Sequence, residues 1–364
     1  MSKIYQKIIR PLLFKMPTEA AHEFGIESLK YGLGSEFAQT LAAEKLAVKS
    51  FGKLTRFGLT FKNPLGVAAG FDKNGKVVNG LAALGFGFVE VGTVTFHPQK
   101  GNEKPRLFRL SEDKALINRL GFNNEGTLKV VERLKKINPN CILGVNIGKN
   151  KDVPNERAIE NYLASFDLAF EVADYIAVNV SSPNTPNLRE LQKAENLEEL
   201  LGELQKRNQR LSNGKPDKPL VVKMAPDLSD SEIEAIVDVC LKLNLAGIIA
   251  TNTTVNRKDL KSKNVAQMGS GGLSGKPLQS RSNEVIRKIY KSSNGKLPIV
   301  GVGGIFTAED AFEKIAAGAC LIQAYTGFIY QGFTFARDIN VGMGKIMKRK
   351  GFNNLNEAIG TETT

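Results

Sequence analysis

IVGVGGIFTAEDAFEKIAAGACLIQAYT, residues 299–326, holds the unit from which the fold is read. A β-branched run, Ile299–Gly301, ends in a glycine turn; an amphipathic stretch, Thr307–Ala317, follows; Leu321–Ala324 is a second apolar run. Thr307 stands as N-cap with Asp310 three residues on, a capping-box-like start. Strand, helix, strand is the crossover unit of a parallel sheet. The same rhythm runs back to about Lys53, with strands expected at Leu65–Ala68, Phe88–Val91, Ile142–Ile147, Tyr175–Asn179, Leu220–Lys223 and Gly247–Thr251. Helices are expected at Glu125–Lys136, Leu197–Leu211 and Asp230–Leu243. Eight such units without a break in composition predict an α/β fold, a closed (β/α)8 TIM barrel. A doubly wound open sheet is the alternative.

Two segments fall outside this rhythm. Thr55–Phe61 resembles a short strand placed to plug the barrel bottom. Residues 1–45 form a separate helical extension, in which Ile4, Ile8 and Leu12, with Ile9 and Leu13, make an apolar stripe beside Lys3, Lys7 and Arg10. A basic amphipathic start of this kind suits a membrane interface, and it equally suits a helix packed on the barrel with a solvated basic face. Pro11 interrupts the pattern.

The formal charge of +13 fits nucleic acid, an anionic membrane or small anions. The lysines are scattered over many helices and no nucleic-acid motif accompanies them, so no nucleic-acid partner is expected. Cys141, Cys240 and Cys320 sit in apolar surroundings without a CxxC pair and read as buried free thiols. With histidine only at 22 and 97, neither a Ser-His-Asp triad nor a histidine-rich metal site is expected. No apolar run reaches the roughly 20 residues needed to cross a bilayer, and no signal peptide is apparent.

In a parallel barrel the site is built at the strands' C-terminal ends. Those positions read Ala68-Ala69-Gly70-Phe71-Asp72-Lys73, Gly92-Thr93, Asn146, Asn179, Lys223, Thr251-Asn252-Thr253, Gly303-Gly304 and Tyr325-Thr326. Amides, hydroxyls and lysines dominate, and paired acids are missing. Such a set suits a flat polar ring with amide and carbonyl edges, with lysines for an anion or a reduced cofactor. The glycines after strand seven and the turn after strand eight suit a phosphate, since backbone N–H groups can approach its oxygens there; a tight turn explains them as well. Ser182, in Ser181-Ser182-Pro183-Asn184-Thr185, is either a turn residue or a general base. As a base it needs a relay, through Thr185 or a water.

Nine runs in order resemble the dihydroorotate dehydrogenases of class 2: NPLGVAAGFDKNG (63–75), KPRLFRL (104–110), INRLGFNN (117–124), GVNIGKNK (144–151), NVSSPNTPNLR (179–189), KMAPDLS (223–229), ATNTT (250–254), GGLSGKPL (271–278) and GVGGI (301–305). The resemblance implies FMN in the barrel mouth, held by Ala68, Ala69, Gly70, Phe71, Asp72, Thr93, Asn146, Asn179, Lys223 and Thr251, with Gly275, Gly304, Tyr325 and Thr326 on its phosphate side. Lys223 would stabilise charge on the reduced ring. Orotate would meet Lys73, Asn118, Arg119, Leu120, Gly121, Phe122, Asn179, Asn184, Asn252 and Thr253. Ser182, with Thr185 as its relay, would remove the C5 proton of dihydroorotate while the C6 hydride passes to the flavin. His22 and Arg106 would lie on the path of a membrane quinone. The resemblance further implies a monomer in pyrimidine biosynthesis, peripheral to the cytoplasmic face of a bacterial cell membrane. It divides the chain into an extension (1–45), an FMN-binding barrel (46–350) and a C-terminal tail (351–364).

Class 1 members carry cysteine where this chain has Ser182, and they lack the helical extension. A flavin-free phosphate-binding barrel would explain the last two loops but not Lys223 with four asparagines. One departure stands out: where relatives usually read Thr-Pro-basic-Pro, this chain has Thr95-Phe96-His97-Pro98, which frees the backbone there and adds apolar surface.

Overall fold

A computed structural model of the chain describes residues 2–46 and 54–363. Eight parallel strands close into a barrel, with the open sheet thereby excluded. They are β1 (Leu65–Val67), β2 (Phe88–Val94), β3 (Ile142–Ile147), β4 (Tyr175–Asn179), β5 (Leu220–Met224), β6 (Gly247–Ala250), β7 (Ile299–Val302) and β8 (Leu321–Ala324). Each pairs with its chain neighbours, and β8 returns to β1. All residues of β4 and β5 are buried, as expected where helices cover one face and the barrel interior the other. The capping box of the last crossover helix is present: Thr307 Oγ accepts from the Asp310 amide at 3.2 Å, and the Asp310 carboxylate accepts from the Thr307 amide at 3.1 Å. The helix expected over Glu125–Lys136 is shorter, Thr127–Leu134, because Gly126 takes φ 86° just before it. That expected over Leu197–Leu211 extends to Ala194–Ser212.

Thr55–Phe61 is a hairpin rather than one strand. Leu54–Arg56 pairs with Leu59–Phe61. Phe57 and Gly58 both adopt positive φ, 55° and 74°, the two-residue mirror turn that matches strand twist. The hairpin does plug the barrel floor. Phe61 meets Phe88 edge-on with centroids 5.4 Å apart, and Phe57 lies against Tyr175. Two glycines make room for these rings. A Cβ at Gly66 would sit 2.4 Å from the Phe88 ring, and one at Gly144 would sit 2.2 Å from that of Tyr175.

A three-stranded antiparallel sheet of Leu107–Leu110, Ala115–Asn118 and Gly272–Gly275 was not anticipated. It has its own small core of Leu110, Ala115, Ile117 and Leu273, and it carries Asn118 and Gly275 to the barrel mouth.

The extension is helical over Ser2–Lys15, Thr18–Gly32 and Glu36–Leu46. The first helix runs through Pro11 unbroken. A wider turn over Tyr5–Ile9, in which the Arg10 amide reaches Tyr5 O, precedes the proline and absorbs its missing N–H. This helix is docked by polar contacts: Tyr5 donates to Ile329 O at 2.6 Å, and Arg10 to Tyr330 O at 3.0 Å. Of its apolar stripe, Ile4, Ile8 and Leu12 face outward, exposed by 54–60%, while Ile9 and Leu13 line a cavity against the barrel. The expected seam between extension and barrel borders residues 47–53, which lie outside the described residues. At the other end, the segment expected as a tail is docked: Leu355 and Ala358 are buried, and the Gly360 and Glu362 amides bond to Ile315 O and Ala316 O.

The floor and the helices predict opposite outcomes for two glycine substitutions. Gly144→Ala drives a methyl into Tyr175 and should cost about 1–3 kcal/mol by overpacking. Gly202→Ala, inside a helix with nothing within 4 Å, should gain roughly 0.5–1 kcal/mol. Urea unfolding midpoints of the two variants against the parent check both signs.

Candidate active site

The C-terminal ends of the strands surround one cavity of mixed lining, rich in amide, hydroxyl and lysine groups. Its wall includes Ala68, Ala69, Gly70, Lys73, Thr93, Asn118, Leu120, Gly121, Phe122, Asn179, Ser182, Asn184, Lys223, Thr251, Asn252, Thr253, Gly275, Gly304, Tyr325 and Thr326. The chain thus brings together most of the positions expected from the sequence.

Five expected residues stand outside the wall. Asp72 turns away, and its carboxylate accepts from the Lys76 and Val77 amides, both at 2.8 Å, so it shapes the loop that presents Lys73. Phe71 points to the far side, against His22, Tyr325 and Phe328. Asn146 lies one layer deeper, where its Oδ1 accepts from Thr93 Oγ at 2.6 Å. Arg119 faces outward, bonded to Ser270 O and Pro105 O and stacked over Phe108. The Thr185 hydroxyl is buried and has no partner among the described residues. No direct hydrogen bond therefore joins it to Ser182, whose Oγ accepts from the Asn184 amide at 3.3 Å.

The asparagines hold one another in place. Asn179 donates to Thr93 Oγ at 2.9 Å, Asn252 to Ser181 Oγ at 2.9 Å, and Asn184 to Asn118 Oδ1 at 3.2 Å. Such cross-bonding fixes which edge of each amide faces the cavity.

The Lys223 ammonium makes no hydrogen bond to protein among the described residues, although the side chain is buried. Burial lowers its pKa, and Glu90 opposes that shift. A buried ammonium without an acceptor fits a ligand that brings one. The amides of Gly303, Gly304 and Ile305 likewise find no acceptor among the described residues, and Gly303 and Gly304 take φ 129° and 74°, open only to glycine without strain. A cation at one end and free amides at the other fit a flat polar ring carrying a phosphate tail. Lys73 is pushed down to about 8, first by burial and also by Arg106, against the pull of Glu19 and Asp72.

Reading only strand ends missed three buried polar groups deeper in the barrel, Glu90, Tyr175 and Gln323. A lone acid inside the apolar run Phe88–Val91, and a lone amide inside Leu321–Ala324, were the available signals.

A second cavity, about 270 Å³ and mostly apolar, lies between the extension and the barrel. His22 lines it, edge-on to Phe71 at 5.4 Å. Burial, with Lys73 second, pushes His22 down to about 3, so the imidazole is neutral. Arg106 is not in this wall. Its guanidinium pairs with Glu19 at 2.7 Å and bonds Lys100 O and Asn102 O, tying the extension to the loop beside the substrate side. Arg109 takes the wall position instead, bonded to Phe14 O and stacked on the Phe14 ring at 4.0 Å. The two cavities share one residue in their walls, Tyr325. At the departing loop, the His97 amide bonds Asn150 Oδ1, and Asn124 and Thr95 bond each other. Side-chain amides thus hold that turn.

The sequence pattern of the dihydroorotate dehydrogenase family matches residues 53–347. A protein of Christiangramia forsetii named dihydroorotate dehydrogenase (quinone) is 54% identical over 93% of this chain and 98% of its own length. One of the same name from Roseiflexus is 47% identical over 99% of both chains. Among solved structures, DHODH from Eimeria tenella in complex with ferulenol superposes with a TM-score of 0.80 at 39% identity, covering 91% of this chain and 95% of that one. Barrel, extension and both cavities occur in a chain that matches these relatives nearly end to end, and it belongs to the dihydroorotate dehydrogenase family, in the quinone-dependent class.

Proposed function

We propose that the protein oxidises (S)-dihydroorotate to orotate in the barrel mouth, with FMN as the hydride acceptor, and delivers the electrons to a membrane quinone in the second cavity, as a step of pyrimidine biosynthesis. The observation that carries this reading is the pair of cavities, one studded with polar side chains and one mostly apolar, back to back across Tyr325.

FMN, when bound, supplies an acceptor for the C6 hydride. Lys223 places a cation by the ring, where it favours the added negative charge. The Gly303–Ile305 amides take the phosphate, together with Gly275, Tyr325 and Thr326. Ala68–Gly70, Thr93 and Thr251 line the ring's faces and edges. Phe71 packs behind Tyr325, Asn146 holds Thr93 from behind, and Asp72 shapes the loop that presents Lys73. Asn118, Asn179, Asn184, Asn252 and Thr253 present donors and acceptors to the substrate's amides, while Lys73 pairs with its carboxylate. Leu120 to Phe122 close over it, and Arg119 braces that loop. Ser182 accepts the C5 proton. With no carboxylate or imidazole bonded to it, the proton leaves by water or by a shift of Thr185 toward it.

The quinone enters between helices of the extension, past His22 and Arg109, with Arg106 clamping the extension rather than touching the quinone. Among the described residues, eight of the twelve exposed large apolar side chains lie before residue 47. No described helix is long and apolar enough to cross a membrane. An outward row of Ile4, Ile8 and Leu12 with lysines at its border suits a helix lying in the interface, which supports residues 1–45 as a peripheral membrane and quinone-access piece.

The direct test is anaerobic. Dihydroorotate should bleach the visible flavin absorbance, and a ubiquinone analogue should restore it. Bound flavin that dihydroorotate leaves unbleached would assign another substrate. Ser182→Ala should keep FMN and orotate binding and lose about 10²–10⁴ in turnover; near-normal turnover would place the base elsewhere. Raising the pH through about 8 neutralises Lys73 in the free enzyme, so kcat/KM for dihydroorotate should fall above that value while flavin content stays constant. The double variant Ile8→Ser, Leu12→Ser should weaken vesicle binding by roughly tenfold or more, with turnover on a water-soluble quinone unchanged.

A further inference from the structure

One layer below the barrel mouth, a carboxylate is sealed from solvent. Glu90 on β2 is fully buried. Its Oε1 accepts from Asn146 Nδ2 at 2.8 Å, and its Oε2 accepts from the Tyr175 hydroxyl at 2.9 Å and from Gln323 Nε2 at 2.7 Å. An ionised carboxylate only accepts hydrogen bonds, so both amides must turn their NH2 groups to it and their oxygens away. Asn146 Oδ1 is thereby given to Thr93 and Asn179, both in the cavity wall. Gln323 Oε1 is left buried without a partner among the described residues, in a side chain that lines the same cavity. Glu90 is also the charged group that acts on Lys223, the buried ammonium without a protein acceptor.

We propose that Glu90 is a positioning residue for the flavin half of the site: it orients the Asn146 and Gln323 amides and offsets the Lys223 cation, and so holds down the reduction potential of the bound flavin. This rests on FMN as the cofactor. A cation beside the ring stabilises the charge of the reduced form, and a carboxylate behind that cation cancels part of the effect.

The test is a dye-equilibrated reductive titration of the purified holoenzymes at mildly acidic pH, which favours the lysine cation. Glu90→Gln should shift the flavin equilibrium toward the reduced form by at least about tenfold, some 30 mV upward for a two-electron couple. Glu90→Asp, which keeps the charge, should stay close to the parent. Tyr175→Phe, which removes one hydrogen bond and no charge, should move it less than about threefold. An unchanged potential in Glu90→Gln, or an equal shift in Tyr175→Phe, would overturn the proposal. Should Glu90→Gln fail to fold, the exchange Glu90→Gln, Gln323→Glu keeps one carboxylate among the same donors. Its potential should then lie within threefold of the parent, and a tenfold rise would be fatal to the idea. A parent protein that takes up no FMN would bring down the proposed function as well; FMN-bound Glu90→Gln at the parent potential brings down this inference alone.

Discussion

Closure of a parallel sheet constrains everything else in this molecule. Because all eight strands run the same way and each pairs with its chain neighbour, every strand's C-terminal end opens on one mouth. Residues far apart in sequence, such as Lys73, Ser182 and Thr326, become walls of one cavity without any long loop to carry them. Closure also demands that the interior be filled. The floor is filled by Phe61, Phe88 and Tyr175, at the expense of side chains at positions 66 and 144. Above that floor the filling becomes polar, and the polar layer is what the mouth rests on.

The barrel was legible because its signal is local and repeated. Apolar strands of three to seven residues, amphipathic crossover helices and glycine turns recur along the chain, and each can be read from neighbours alone. The three-stranded sheet over the mouth was not legible, since Gly272–Gly275 pairs with a partner more than 150 residues away. The floor hairpin was half seen: its turn uses Phe57-Gly58, not the Asn-Gly pair by which such turns are usually recognised.

Much the same division holds in the site. Positions at strand ends were correctly gathered around the mouth, because the barrel dictates where strand ends go. Which way a side chain turns there depends on partners that the strand pattern does not reveal. Asp72 turns back to cap its own loop, Phe71 faces the other cavity, and Arg106 is taken up by Glu19 while Arg109, three residues on, reaches the apolar wall. Glu90 escaped notice because it lies below the strand ends, in a layer that pattern reading treats as packing.

Tyr325 is the one side chain common to the walls of both cavities, its hydroxyl 3.4 Å from Gly70 O and its ring edge-on to Phe71 at 5.8 Å. A partition one residue thick lets charge cross while keeping the two molecules apart. Dihydroorotate and quinone can then load and leave by separate openings, without queuing for a shared seat. A compound lodged in the apolar cavity would be indifferent to how much dihydroorotate is present. The chain thus joins two pools of reactant that never have to mix.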